Sequence, residues 1–456
     1  MTTLMNNANE TNNIGYDKIA LLGLFIAALL SARLVVLFKS RIVFSKPVPL
    51  SRTGLSVSMP SGYSWQSDKQ WNYQENFFTI SSLFPLGSDK PTTWANCRYL
   101  LTAETTTPQM RFGRIAYEID ATIVETRQIQ ADGITIDYAR IDKPEFAFTV
   151  FYGTARLPDN RQLDIEVRHI ASDGEFAEQV FRGMIKNLKF EENELLKAGT
   201  EIVTEIKSRG LAGFLENQNS QAFFLVKDEA KRTIGFTMDV LVDSGIDSPS
   251  IGVRKTATDA KQNIRSAGLY YMRGQNSFEQ ATSFQCSNNL DGFIYRSERN
   301  AKTGRSGIET IQNMTGEITI RKFQEQPDEK TYRLNPAAIP DIFLDQLLLQ
   351  MLESDKKEII IDIIEANGKI VPTFIAAVEA VEDMPSDDGT AYVFKLELLD
   401  RQGFSELLYL NDQKQIYKRL ARWDNIYILE RADAETIVRE FPEHAEQVLR
   451  NNQTLN

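Results

Sequence analysis

The sequence predicts an α+β protein: an N-terminal transmembrane helix, then an α/β sandwich with an antiparallel sheet, then a larger antiparallel curved-sheet domain packed on a hydrophobic helix. Three observations lead there. One unbroken apolar run lies near the N-terminus, one amphipathic helix closes a series of strands in the first half, and the second half reads as strands around a single helix that is apolar nearly all round. With 456 residues the chain exceeds the length at which one core keeps growing, so two folded domains are expected.

The apolar run extends from Ile19 to Phe38, and about twenty helical residues match a hydrocarbon layer of roughly 30 Å. Its candidate anchor residues are Ile19, Leu24, Phe25, Leu30, Arg33, Val36 and Phe38, with Arg33 near enough to one end to snorkel to the headgroups. A cleaved signal peptide fits less well, because Leu30 is bulky where a small residue is needed and the run resumes after Arg33. The expectation is a single-pass membrane protein with the membrane itself as a partner. Lys39, Arg41, Lys46 and Arg52 place the large part in the cytoplasm by the positive-inside rule, whereas the family resemblances described below place it outside.

The run divides a tail, 1–18, from a spacer, 39–50, that Pro47 and Pro49 stiffen. The first domain, 51–195, opens with Leu55, Val57 and Met59 on one strand face before Pro60-Ser61-Gly62 turns the chain. It closes with Phe176, Ala177, Val180, Phe181, Met184 and Leu188 at three- and four-residue spacing, one helical stripe facing a sheet. Residues 196–215 read as a linker helix. In the β-rich domain, 216–432, hairpin signals such as Asp291-Gly292 separate strands, and the helix 341–352 interrupts them. A C-terminal helix and tail, 433–456, follow.

Two stretches resemble known families. Gly54-Leu55-Ser56-Val57-Ser58-Met59-Pro60-Ser61-Gly62-Tyr63, with Leu163 to Val167 and Phe176 through Phe190, looks like the opening and closing elements of the PsbP-like α/β/α sandwich family. That resemblance implies a sandwich used for binding and assembly, commonly outside the cytoplasm. Phe224 to Lys227, Ile234-Gly235-Phe236, and Glu406 to Asp412 with Ile416 to Arg419 resemble the curved half-barrels of periplasmic lipoprotein-carrier-like proteins. This implies a concave sheet suited to an apolar ligand or a partner's segment, with Ile342, Phe343, Leu347, Leu348 and Met351 lining its cavity.

Chemistry is sparse. A net charge of −11 repels nucleic acid phosphates, so no nucleic acid partner is expected. Cys97 and Cys286 are too few for a disulfide framework or a metal cluster, and read as buried apolar residues or a single bridge. His169 on a strand and His444 on the terminal helix read as structural. Phosphate-binding, dinucleotide, zinc-protease and nucleophile-elbow motifs are all missing, and no cofactor is expected. Acid pairs involving Glu365 or Glu382 leave carboxylate catalysis open. Arg296, Arg299, Lys302 and Arg305 form a candidate contact for anionic headgroups or an acidic partner. The expected function is therefore a membrane-anchored, non-catalytic binding or scaffolding protein, with a lipid or lipoprotein carrier and a carboxylate-dependent hydrolase as alternatives. Expected partners are the membrane, another membrane or envelope protein, or lipid.

Overall fold

The computed structural model describes residues 20–31, 42–49, 54–62, 64–72, 76–85, 88–100, 103–157, 160–170, 174–210, 220–243, 263–273, 278–287, 290, 292–302, 304–313, 316–323, 328–378, 391–399, 403–423 and 425–453. Its helices are α1 (20–31), α2 (Pro108–Glu118), α3 (Gly174–Lys186), α4 (Glu194–Arg209), α5 (Leu344–Glu353), α6 (Ala434–Glu440) and α7 (Ala445–Gln453).

The first domain is built on a seven-stranded antiparallel sheet whose centre is formed by Thr93–Leu100, Gln162–Ile170 and Phe148–Arg156. One face of these central strands is apolar and the other carries the buried Asp164 and Glu166, and both faces are covered. The stripe Ala177, Val180, Phe181, Met184 and Ile185 of α3 closes one face against Cys97, Ile136, Ile165 and Val167. On the other face α2, capped by Thr107 and started by Pro108, packs Phe112 and Ala116 on Ala139, Ile141 and Val150.

The second sheet has sixteen strands and is almost a simple meander in two halves. Strands from Ser220–Lys227 to Asp328–Arg333 form one half, strands from Glu358–Ile364 to Ile426–Ala432 the other, and Ser220–Lys227 pairs with Ile426–Ala432 to join them. Ala338–Pro340, running parallel to Glu358–Ile364, ends one side; Asp328–Arg333 stands near the other end, and only residues 334–337 separate these two segments in the chain. The sheet must therefore curl until its ends meet. Ala103–Glu104 of the first domain adds the last strand, on Tyr332 and Arg333.

Two helices fill this barrel. Leu196, Ile202, Val203 and Ile206 of α4 meet Phe343, Leu347, Leu348 and Met351 and the inner residues Phe224, Phe284, Ile360 and Phe394. Contact is close enough that a Cβ at Gly199 would lie 2.1 Å from the Ile360 carbonyl oxygen, so the helix axis can approach the strand only with glycine there. Outside the barrel, Ile437, Phe441 and Val448 of the C-terminal helices cover Phe223, Phe236, Met238 and Leu269.

Several expectations are corrected. The fold is mostly β and dominated by large antiparallel sheets, not α+β, because the helices are few and serve as fillers and covers of sheets. Among the described residues no helix is long and apolar enough to cross a membrane. The described part of the apolar run is helical over 20–31. The single-pass membrane assignment is therefore withdrawn. Leu24, Phe25 and Leu30 are exposed on α1, whereas Ile19, Arg33, Val36 and Phe38 lie outside the described residues. Nor is α4 a mere connector: it forms part of the barrel's core.

The two domains are joined by a buried ion pair. Arg161, just before its central strand, donates from Nη2 to Asp362 Oδ1 at 2.7 Å and from Nη1 to the Tyr99 hydroxyl at 2.6 Å. The other Asp362 oxygen accepts from Asn335 Nδ2 at 3.2 Å. Both charged side chains are 2 % exposed or less. Removing one partner strands the other charge in a low-dielectric interior, so Arg161→Met should cost about 3–5 kcal/mol in urea unfolding, and Arg161→Met with Asp362→Leu should regain most of that loss. Equal losses in the single and double variants would show that the pair is not coupled.

Candidate functional site

Strand alternation sets the inner face of the barrel, and that face is not uniformly apolar. Beyond the helix-filled region it opens into a cavity of about 520 Å³. Asp239, Asp341, Asp345, Glu365 and Glu406 line it together with one cation, Arg419. Apolar wall is supplied by Ile342, Ile363, Val371, Leu396, Leu398 and Phe404, and Trp423 borders the opening with 43 % exposure.

Each acidic group has a structural reason for its position. Asp239 sits on the inner face of Thr233–Asp243 because its neighbours Phe236 and Met238 face out beneath the C-terminal helices. Asp341 and Asp345 belong to the turn and first turn of α5, where negative charge suits the helix N-terminus. Glu365 lies in the tight turn after Glu358–Ile364, held by the Gly368 amide donating to its carbonyl at 2.9 Å and by Asn367 Nδ2 donating to its carboxylate at 2.7 Å. Gly368 in that turn has φ +75° and lies where a Cβ would meet Ile320 and Ile308 across the barrel, so only glycine suits both demands.

Electrostatics divide the cavity in two. Arg419 lies 4.0 Å from both Asp345 and Glu406 and stacks over Phe224 at 5.2 Å, partly neutralising that side. Burial nevertheless raises the pKa of both carboxyls, with Arg419 pulling the other way. On the opposite side, burial pushes Asp341 up to about 7, aided by the charges of Glu365 and Asp239, although the Tyr295 hydroxyl donates to it at 2.8 Å. Burial likewise lifts Asp239 to about 6, partly offset by Arg419. The Asp239 side chain is open to the cavity although protein surrounds it, so water reaches it through a confined space. The Tyr295 hydroxyl is raised well above its ordinary value by burial and by Asp341.

The residues singled out from sequence fall elsewhere, with few exceptions. Ile342 lines this cavity, but Phe343, Leu347, Leu348 and Met351 are packed in solid core on the other faces of the helix. Arg296 pairs with Glu309 at 2.6 Å, Arg305 pairs with Glu298, and Arg299 stacks over Phe278 at 4.0 Å. Arg296, Glu298, Arg305 and Glu309 belong to an outer-face ladder with Lys302 at its hairpin end, whereas Arg299 lies on the other face of the same strand. Cys97 and Cys286 are free and buried, one in each domain core, where burial pushes both thiols up. His169 is buried and shares a hydrogen bond with Thr93 at 2.9 Å, and His444 is buried among Phe236, Tyr271 and Phe441. Glu365 does reach the cavity, while Glu382 lies outside the described residues. Asp239, Asp341, Asp345, Glu406 and Arg419 were not anticipated. A lone acid in an apolar strand, as in Gly235-Phe236-Thr237-Met238-Asp239-Val240, was the available signal.

A carboxyl that ionises near pH 7 when folded and near 3.8 when unfolded binds more protons in the folded state between those values. Its contribution to stability therefore falls as pH rises through that window. Asp341→Asn is expected to gain melting temperature relative to the wild type as pH is raised from about 5 to about 8. A difference in Tm that stays flat over this range would show that Asp341 titrates normally.

No family model matches the chain, and no curated protein matches it. Among solved structures it is similar to a beta-barrel-like protein of domain of unknown function DUF1849 from Brucella abortus, at 9% identity over 47% of this chain and 95% of that one, with a TM-score of 0.34. It is also similar to the tail fiber of Staphylococcus aureus phage P68, at 8% identity over 84% of this chain and 72% of that one, with a TM-score of 0.12. Likenesses this distant assign neither a family nor a function.

Proposed function

We propose that this chain is a non-catalytic binding protein whose barrel holds a small polar molecule. The observation that carries the reading is the cavity itself, about 520 Å³ of unfilled space onto which five carboxyls and one guanidinium converge. That volume falls within the range of ligand sites, and a few convergent polar groups in a partly apolar wall are what fixes a small molecule in place. An apolar lipid carrier has less support, because four of the five helix residues expected to line its cavity are close-packed core.

Acid–base chemistry on a bound substrate is a second reading, favoured by one observation: burial pushes Asp239 up to about 6 and Asp341 up to about 7 in the same cavity. Displaced values of this kind cluster at catalytic sites.

Ala222 lines the cavity from a strand position paired with Asp239, and Ala222→Trp should fill part of it without removing an acidic group. In native mass spectrometry after incubation with a small-molecule extract, the wild type should retain adducts of less than about 500 Da that Ala222→Trp loses. Adducts absent from both, or equal in both, would overturn the binding reading. Turnover of a hydrolase panel that Asp341→Asn abolishes without unfolding the chain would establish the second reading in place of the first.

A further inference from the structure

We infer that the cavity selects an organic polycation, a linear aliphatic amine bearing two or more ammonium groups. The inference rests on the binding reading and names its ligand class. Among the residues that line the cavity, five carboxyls face a single guanidinium, so an occupant carrying positive charge corrects the imbalance. Arg419 lies against Asp345 and Glu406 and offsets Asp239 in part, which leaves Asp341, faced by Glu365 and Asp239, on the side with excess negative charge.

A second observation points to a donor-bearing ligand independently of charge. Gln346 lines the cavity, is 2 % exposed, and its Oε1 has no hydrogen-bond partner among the described residues. A buried amide oxygen left unpaired costs about 1–3 kcal/mol, and an ammonium or amine N–H is the complement it lacks. Anionic ligands would add repulsion and offer this oxygen no donor.

The shape of the wall separates an organic cation from a metal ion. Among the described residues no three Asp, Glu, His or Cys side chains converge closely enough to hold a metal ion. The carboxyls are instead spread around the space and alternate with Ile342, Ile363, Val371 and Leu398. Charges separated by methylene segments fit such a wall, with hydrocarbon against the aliphatic residues and each ammonium near a carboxyl. Trp423 at the opening adds an aromatic face of the kind that attracts ammonium groups.

The groups facing Asp341 are Tyr295 and Asp239 from the first half of the barrel, Glu365 from the facing turn, and the Ala366 amide. Those facing Asp239 are Arg419 and Asp345. Because a cation binds the ionised form of both acids, binding should release protons and tighten as pH rises through the range in which they titrate.

The test is calorimetric titration of the full chain with spermidine, with 1,8-octanediol and Mg²⁺ as comparison probes at matched ionic strength. Spermidine should bind while the diol does not, and its affinity should rise by about tenfold between pH 6 and pH 8. Gln346→Leu, Asp341→Asn and Glu406→Gln should each weaken it by about tenfold, with unchanged circular dichroism. Binding of the diol as tightly as spermidine, displacement of spermidine by equimolar Mg²⁺, or indifference to all three substitutions would overturn the inference. If spermidine fails to bind but adducts sensitive to Ala222→Trp persist in native mass spectra, the ligand class is wrong and the binding reading survives. If neither is seen, both fail.

Discussion

The architecture depends on one buried ion pair, Arg161 with Asp362. Two charges removed from water are stable only if their remaining hydrogen-bonding capacity is met, and Tyr99 and Asn335 meet much of it, one from each side. The pair lies where the central strand of the first sheet begins and where the second sheet turns parallel, so it couples the most rigid part of one domain to the seam of the other. Nearby, Asn160 donates to the Leu334 carbonyl at 3.1 Å and Ala103–Glu104 extends the barrel's edge, so the first domain closes what the second leaves open. An apolar pair of similar volume would hold the domains together at least as firmly. What charge adds is a preferred register, since a shift would carry Arg161 away from the carboxylate it meets at 2.7 Å and leave a buried charge behind.

Helix α5 then divides the interior that this seam encloses. Its Leu347, Leu348 and Met351 complete the apolar half with α4, and Gln346 and Asp345 turn toward the cavity. Because successive residues of a helix point about 100° apart, a helix apolar nearly all round can still present a narrow polar edge, and two such residues suffice here. The barrel is thus solid at one end and hollow at the other without any change in its strand pattern.

Much of this was legible in the sequence, and the losses have identifiable causes. Local periodicity placed the helical stripe of α3 and the helix Asp341 to Leu352, because each is a repeating pattern along a short stretch. The apolar run after Ile19 is as regular, yet among the described residues no helix is long and apolar enough to cross a membrane. Residues of the cavity carry no periodic mark: Asp239, Asp341, Glu365, Glu406 and Arg419 come from distant strands and turns, and only closure of the sheet brings them together. The basic stretch from Arg296 to Arg305 misled for the complementary reason, since Arg296 meets Glu309 directly across the hairpin and Arg305 meets Glu298 diagonally across it.

The cavity runs against the economy of folding. Filling its wall with leucine would remove the desolvation of Asp239, Asp341, Asp345 and Glu406, and such replacements are commonly neutral or stabilising. The sheet is instead shaped around these groups. Gly268 stands opposite Asp239, where a Cβ would fall 2.6 Å from Asp239 Oδ1 and 2.4 Å from Thr282 Oγ1, so a strand position normally given to a packing side chain is left bare for the carboxyl. Glycine within a strand and unpaired acids within a barrel each weaken the fold by themselves. Protonation of Asp239 and Asp341 near neutral pH lowers that cost, and an occupant carrying positive charge would offset the part that remains.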